Sequence, residues 1–248
     1  KERPVALARV GREVAVALHR NLVANTLMMR EWMTNCVEGK ETVLMGIPLF
    51  HVYGMVAGMS AAVQAAASMV LVPNARDLDS VVDPIDAYRP SIFPGVPRMY
   101  NAINNYAGIE KHDLRSIRAC ISGSAPLLIE IKNKFESITG GKLVEGFGMS
   151  EAPTATHCNP LQGLNKEGSI GVPFPDVECR IVSLDDEVTV LGTGEIGELC
   201  LRGPQVMYGY WNMPTETNNV LRHHPDEPNG APWLHTGDIA RVDEDGYF

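Results

Sequence analysis

Between about residues 22 and 146, short apolar runs alternate with stretches of helical period. "TVLMGIP" (42–48), "MVLVP" (69–73), "SIF" (91–93) and "IRACIS" (117–122) are rich in β-branched residues and bounded by Gly or Pro, which is the pattern of buried strands. Between them, "PRMYNAINNY" carries Pro97 where a first helical turn tolerates it. "PLLIEIKNKFESITGG" sets Leu127, Ile131, Phe135 and Ile138 on one helical face, with Pro126 near its start and Gly140–Gly141 available for a left-handed cap. Met55 to Val72 is small and apolar but broken by Gln64, and reads as a buried helix followed by a strand. The alternation predicts an α/β class, a mostly parallel sheet flanked by helices.

After about Lys166 the texture changes. "VECRIVSL", "GEIGELCLRG" and "WLHTGDIARV" are half-alternating and separated by Gly and Pro turns, so an antiparallel β subdomain is expected there. One short helix, "PTETNNVLR" (214–222), interrupts it. The reading therefore divides the chain at 1–165 and 166–248. Asp245–Gly246 has the form of a hairpin turn whose second strand has barely begun, as in a chain cut from a longer one.

Composition narrows the function. Hydrophobic residues are 45 % of the 248, enough for a large core. A net charge of −9 argues against a nucleic-acid partner, which selects for basic stripes. No apolar run reaches the length of a membrane span. The five cysteines are scattered, odd in number and form no CxxC pair, which favours reduced thiols in a cytoplasmic protein over a zinc site.

"GFGMSE" (146–151) follows a predicted strand directly. A loop there lies at the carboxyl end of the sheet, where open α/β folds bind ligands. Gly146 and Gly148 permit close backbone approach, Phe147 offers a flat face to a planar base, Ser150 a hydroxyl, and Glu151 a hard oxygen ligand suited to Mg²⁺. The same six residues also suit a glycine turn with a core Phe and a surface Glu. "ISGSAPL" (121–127) is a second strand ending in a small-residue loop whose amides can face a ligand. Asp238, after a glycine in "WLHTGDIARVDEDGYF", can accept hydrogen bonds from two ribose hydroxyls or simply hold a turn. His51, in "PLFHVYG", reads either as a pocket residue or as a core histidine bonded to backbone, while His19 reads as flanking a helix. His223, His224 and His235 read as surface or turn residues.

Taken in order, "PLFHVYG", "RACISGSAPL", "LVEGFGMSE", "GSIGVPFPD", "GELCLRGPQVMYGYWN" and "WLHTGDIARVDEDGYF" resemble the signatures of the adenylate-forming superfamily, and within it the bacterial long-chain fatty acid–CoA ligases. The resemblance runs from about His19 to Phe248 and implies part of that family's large N-terminal domain. It implies ATP, a fatty acid and coenzyme A as substrates, with Mg²⁺: the acid is joined to AMP, pyrophosphate leaves, and the acyl group passes to the thiol. It places Phe147 on adenine, with Gly123, Ser124, Ala125, Pro126, Glu145, Gly146 and Gly148 around the nucleotide. Ser150 would meet the α-phosphate, Glu151 the metal, Asp238 the ribose, and His51 with Met149 the acyl chain.

Two departures stand out. The family's Thr/Ser/Gly-rich phosphate loop, ending in lysine, is replaced by "VALARVGREVAVALHRNL", which has one glycine, Gly11, no Ser or Thr, and Glu13 near the position of the lysine. The family's hinge arginine and C-terminal lid domain would follow Phe248, so this stretch alone is expected to be a poor ligase. A catalytically inactive adenylate-binding or partner-binding module, and an aryl-CoA ligase or other adenylation domain, stay open beside the fatty-acid reading. A homo-oligomer is compatible with all three.

Overall fold

The structure, a computed structural model, describes residues 4–10 and 13–248. Strands β1 (Pro4–Val10) and β2 (Glu13–Leu18) form an antiparallel hairpin with Arg9 opposite Val14 and Val10 opposite Glu13. The phosphate loop implied by the resemblance would fall in this stretch; Gly11 itself lies outside the described residues. Helix α1 (His19–Trp32) follows without a break, its start closed by the Leu18 amide donating to Asn21 Oδ1 (2.8 Å). Its buried face carries Asn21, Leu22, Asn25, Thr26, Met28 and Met29.

The α/β unit then builds outward. Strand β3 (Thr42–Met45) leads into a π-helical turn (Gly54–Ser60) and α2 (Ala61–Gln64), which return the chain to β4 (Ser68–Leu71), parallel to β3. Helices α3 (Asp79–Tyr88) and α4 (Pro97–Asn104), strand β5 (Ala119–Ser122), α5 (Ile129–Thr139) and β6 (Lys142–Phe147) continue the pattern, with β5 and β6 parallel. The expected "SIF" strand is reduced to single parallel bridges, Val43 with Ile92, Ile92 with Ala119 and Gly95 with Ser122. Pro94 has no amide proton to continue a ladder, which accounts for the break. These bridges still join the two strand pairs in the order β4, β3, residues 92–95, β5, β6.

One helix starts later than the sequence suggests. Helix α5 begins at Ile129, not near Pro126, because residues 123–128 remain a loop with Ser124 in the left-handed region (φ 68°). Its far end matches expectation, with Gly140 at φ 72° as the left-handed cap. Phe135 on its inner face packs edge-on against Tyr100 (4.9 Å) and near Phe93, the centre of a core on one side of the sheet. Truncating such a ring costs about 3–5 kcal/mol.

Beyond β6 the sheet turns antiparallel through β7 (His157–Cys158) and β8 (Val172–Pro173). Strands β9 (Glu178–Val182) and β10 (Gly197–Arg202), β11 (Gly209–Tyr210), α6 (Pro214–Val220), β12 (Leu221–Arg222) and β13 (Trp233–Ala240) complete the chain. Four of these strands form an antiparallel sheet in the order β12-β13-β10-β9, as the half-alternating pattern predicts. Strand β11 instead joins β2, so the N-terminal hairpin and the late β region share a sheet. A second core unites Met29 of α1, Val144 of β6, Phe174, and Leu199 and Leu234 of β10 and β13. No helix among the described residues is long and apolar enough to cross a membrane.

Candidate active site

The carboxyl ends of β5 and β6 open onto a cavity of about 240 Å³ lined by Met29, His51, Tyr53, Gly123, Phe147 and His157, among others. Strand β6 delivers Phe147, and β7 returns beside it with Phe147 opposite His157. The loop between them is drawn tight. A Cβ on Gly148 would stand 1.6 Å from the Thr154 carbonyl oxygen, so no side chain fits there. Asn25 of α1, fully buried, holds the far side of the loop. Its Oδ1 accepts from the amides of Thr154 (2.8 Å) and Ala155 (3.2 Å), and its Nδ2 donates to the Ala155 carbonyl (2.6 Å). The Thr156 amide then donates to the Phe147 carbonyl at 2.9 Å.

Phe147 is a shared wall. It also lines a cleft of about 470 Å³ bounded by Asp238, Lys166, Gly168, Tyr247 and Phe248. Phe147 thus borders both the cavity with His51 and a cleft that carries the exposed Asp238 carboxylate. Asp238 owes its exposure to a bulge between β10 and β13: Glu198 faces Ile239 and Cys200 faces His235, so Thr236, Gly237 and Asp238 lie opposite Leu199 alone. Gly237 takes φ 75°, and Thr236 Oγ1 donates to the Leu199 carbonyl (2.7 Å) while accepting from the Asp238 amide (3.1 Å). Burial, followed by the charge of Glu198, raises the Asp238 pKa above its ordinary 3.8.

The structure brings His51, Gly123, Ser124, Gly146, Phe147, Gly148, Met149 and Ser150 to one cavity. His51 lines it while its Nδ1 accepts from the Tyr53 amide (3.2 Å), which puts the ring proton on Nε2. Ala125 and Pro126 are exposed and line neither space. Glu145 is half-buried in an adjoining hollow with Lys132, Asn165 and Lys166, and burial raises its pKa. Glu151, expected as an open metal ligand, is only 5 % exposed. Its Oε1 accepts from the Tyr210 hydroxyl at 2.8 Å, and burial and this bond raise the Tyr210 pKa. Glu151 lines neither the cavity nor the cleft; Mg²⁺ commonly takes one or two carboxylates beside phosphate and water, and Oε2, the oxygen not bonded to Tyr210, is the one Glu151 would offer it.

Several contributors escaped the sequence reading. Tyr53 donates from its buried hydroxyl to the Ile121 carbonyl (2.5 Å), tying the His51 segment to β5. His157, wholly buried, is driven to a pKa of about 3 by desolvation. His224 and His235, read as surface residues, are 2 % and 5 % exposed, with His224 Nε2 and His235 Nε2 2.9 Å apart. His223 is exposed as expected. All five cysteines are free thiols.

Phe147 thus borders two spaces at the carboxyl end of a largely parallel sheet, the cavity with His51 and the cleft with Asp238. The AMP-binding enzyme family matches residues 15–211, and the chain belongs to it. It is 44 % identical over 230 residues to a long-chain-fatty-acid–CoA ligase of Bacillus subtilis (strain 168), covering 93 % of this chain and 39 % of that protein. It is 34 % identical over 232 residues to a probable 4-coumarate–CoA ligase of Dictyostelium discoideum, covering 93 % of this chain and 40 % of that one. The crystal structure of ATP-bound MatB from Rhodopseudomonas palustris superposes with a TM-score of 0.81 at 28 % identity, covering 95 % of this chain and 44 % of that one. The chain thus spans about two fifths of the curated relatives it matches.

Proposed function

We propose that the chain supplies the adenylate and acyl pockets of a fatty acid–CoA ligase that consumes ATP and coenzyme A. The observation that carries this reading is that Phe147 lines both the cavity beside His51 and the cleft of Asp238. An acyl-adenylate is apolar at one end and a ribonucleotide at the other, so it needs these two environments side by side. Phe147 would stack on adenine, a contact of about 1–3 kcal/mol. Asp238 would accept from the ribose hydroxyls, and Gly123 and Ser124, which line the cavity together with Phe147, would flank the base. Ser150 would donate to the α-phosphate, where negative charge builds as the carboxylate oxygen attacks and pyrophosphate departs. Held by Glu151, Mg²⁺ would supply further neutralisation of that charge. His51 and Met149 would meet the acyl end. None of these residues forms a bond to substrate, so their contribution is position and electrostatics. The division of labour at about residue 165, with the β-rich part supplying Asp238, belongs to the same proposal.

The likeness to a 4-coumarate–CoA ligase makes an aromatic acid the second reading for the acyl end. Calorimetric titration with non-hydrolysable adenylates bearing acetyl, dodecanoyl and coumaroyl groups separates the two. The fatty-acid reading expects dodecanoyl to bind most tightly and Asp238→Ala to weaken all three. Preference for coumaroyl transfers the site to aryl acids. No binding by any of them refutes the adenylate pocket itself.

A further inference from the structure

Behind the Asp238 bulge runs a buried row of polar side chains that no substrate contact explains. Arg180 Nη1 lies 3.1 Å from His224 Nδ1, His224 Nε2 lies 2.9 Å from His235 Nε2, and His235 Nδ1 lies 2.8 Å from Glu198 Oε2. Glu198 Oε1 then accepts from the Gly237 amide at 2.9 Å. The directions follow from one fixed point. A guanidinium can only donate, so His224 Nδ1 accepts and its proton sits on Nε2. His235 Nε2 therefore accepts in turn, its proton sits on Nδ1, and that proton faces the Glu198 carboxylate. Arg180 is itself fixed, stacked 3.7 Å over Trp233 and paired with Asp226 and Glu227. Each link thus points the same way, from a clamped cation to a carboxylate that holds the amide next to Asp238.

We infer that Glu198 and His235 are positioning residues for the nucleotide ribose, acting through the Gly237 amide on the direction of the Asp238 carboxylate. This rests on the proposed role of Asp238. The physical need is plain: Gly237 is left-handed and exposed, and three residues of β13 oppose one of β10, so the bulge has few ladder bonds of its own. Glu198 supplies the missing acceptor, and His235 fixes which Glu198 oxygen is turned to it. The ligand atoms of Cys200, His224 and His235 also lie within 4.8 Å of one another, a spacing a metal ion can bridge. A metal on His224 Nε2, however, needs the ring proton on Nδ1, where the Arg180 N–H already points, so the contacts favour the hydrogen-bonded chain.

The test compares a dodecanoyl-adenylate analogue with its 2′,3′-dideoxy counterpart by calorimetry. In the unaltered chain, loss of the hydroxyls is expected to weaken binding about tenfold or more. In Glu198→Ala the ribo-analogue is expected to fall to the level of the dideoxy one, which itself stays within about twofold of its original affinity, the limit set by lost contacts that are not made. The conservative pair at 235 gives an independent reading should Glu198→Ala not fold. His235→Asn places an amide N–H near the ring's Nδ1 and should retain the ribose dependence; His235→Gln, which reaches past it, should lose it. Equal loss for both ligands in Glu198→Ala, or equal behaviour of the two His235 variants, overturns the inference while leaving the adenylate pocket intact. Absence of ribose dependence in the unaltered chain removes the role of Asp238 and the inference with it. Stabilisation by added Zn²⁺ that disappears in Cys200→Ser also overturns it, by showing the ring nitrogens on a metal.

Discussion

Asn25 offers the sharpest check on how the site loop is held. Its side chain lies fully buried on α1 and makes three contacts to the backbone at Thr154 and Ala155. Asn25→Leu keeps the volume and removes all three. Two amides and one carbonyl then lose their partner, and the Thr154 amide is buried. An unsatisfied buried group costs about 1–3 kcal/mol, so a total of about 2–5 kcal/mol is expected after partial relaxation of the half-exposed Ala155. For a domain of this size each kcal/mol lowers the melting temperature by about 2–4 °C, which gives a fall of about 4–20 °C. Calorimetric melting of the two proteins at neutral pH reads this directly. Because the loop runs back to Gly148 and Phe147, adenylate affinity should fall as well, even at temperatures where the variant is folded. A melting temperature within about 2 °C of the unaltered chain, outside the range that any of these losses allows, would refute the clamp.

Three further outcomes are expected. Gly148→Ala should lower stability by about 1–3 kcal/mol or more and abolish adenylate binding, since its Cβ would sit 1.6 Å from a backbone oxygen, whereas Gly140→Ala, with nothing within 4 Å, should cost only the roughly 1–2 kcal/mol of a left-handed alanine and leave binding intact. His157 is held neutral in the fold at a pKa of about 3, against 6.5 when unfolded, so acid protonates the unfolded chain first and stability falls as pH drops from 6.5 towards 3. The loss should reach about 2–3 kcal/mol near pH 4.5, and melting curves of His157→Gln should lack it. The Asp238 pKa is raised in the fold, so its charge opposes folding above its ordinary 3.8; Asp238→Asn should therefore melt slightly higher at neutral pH, by an increment that shrinks as pH falls towards that value, while binding adenylates more weakly.

Much of the architecture follows from local pattern. The β-branched runs at 42–45, 68–71 and 119–122 become parallel strands, and the half-alternating runs after Lys166 become antiparallel ones, although antiparallel pairing already begins at β7, before that change of texture. What local pattern does not carry is partnership between distant segments. His224 and His235 stand eleven residues apart and meet only because β12 pairs with β13, so each alone looks like a turn residue. Glu151 was legible as a carboxylate in the right loop, but its burial depends on Tyr210, 59 positions away. Asn25 did leave a trace. It falls with Asn21, Leu22 and Met29 on the one buried face of α1, and an amide on an otherwise apolar helical stripe demands a partner. The late start of α5 has the opposite origin: residues 123–128 could propagate a helix, and the loop that borders the cavity takes precedence.

In the proposed site Phe147 stands between an acyl pocket and a nucleotide cleft. A crystal structure of this chain with a dodecanoyl-adenylate analogue tests it most directly. Adenine is expected against the Phe147 ring, the ribose hydroxyls on Asp238, and the alkyl chain in the cavity beside His51 and Tyr53. A ligand lying wholly on one side of Phe147, or bound without contact to Asp238, would contradict it.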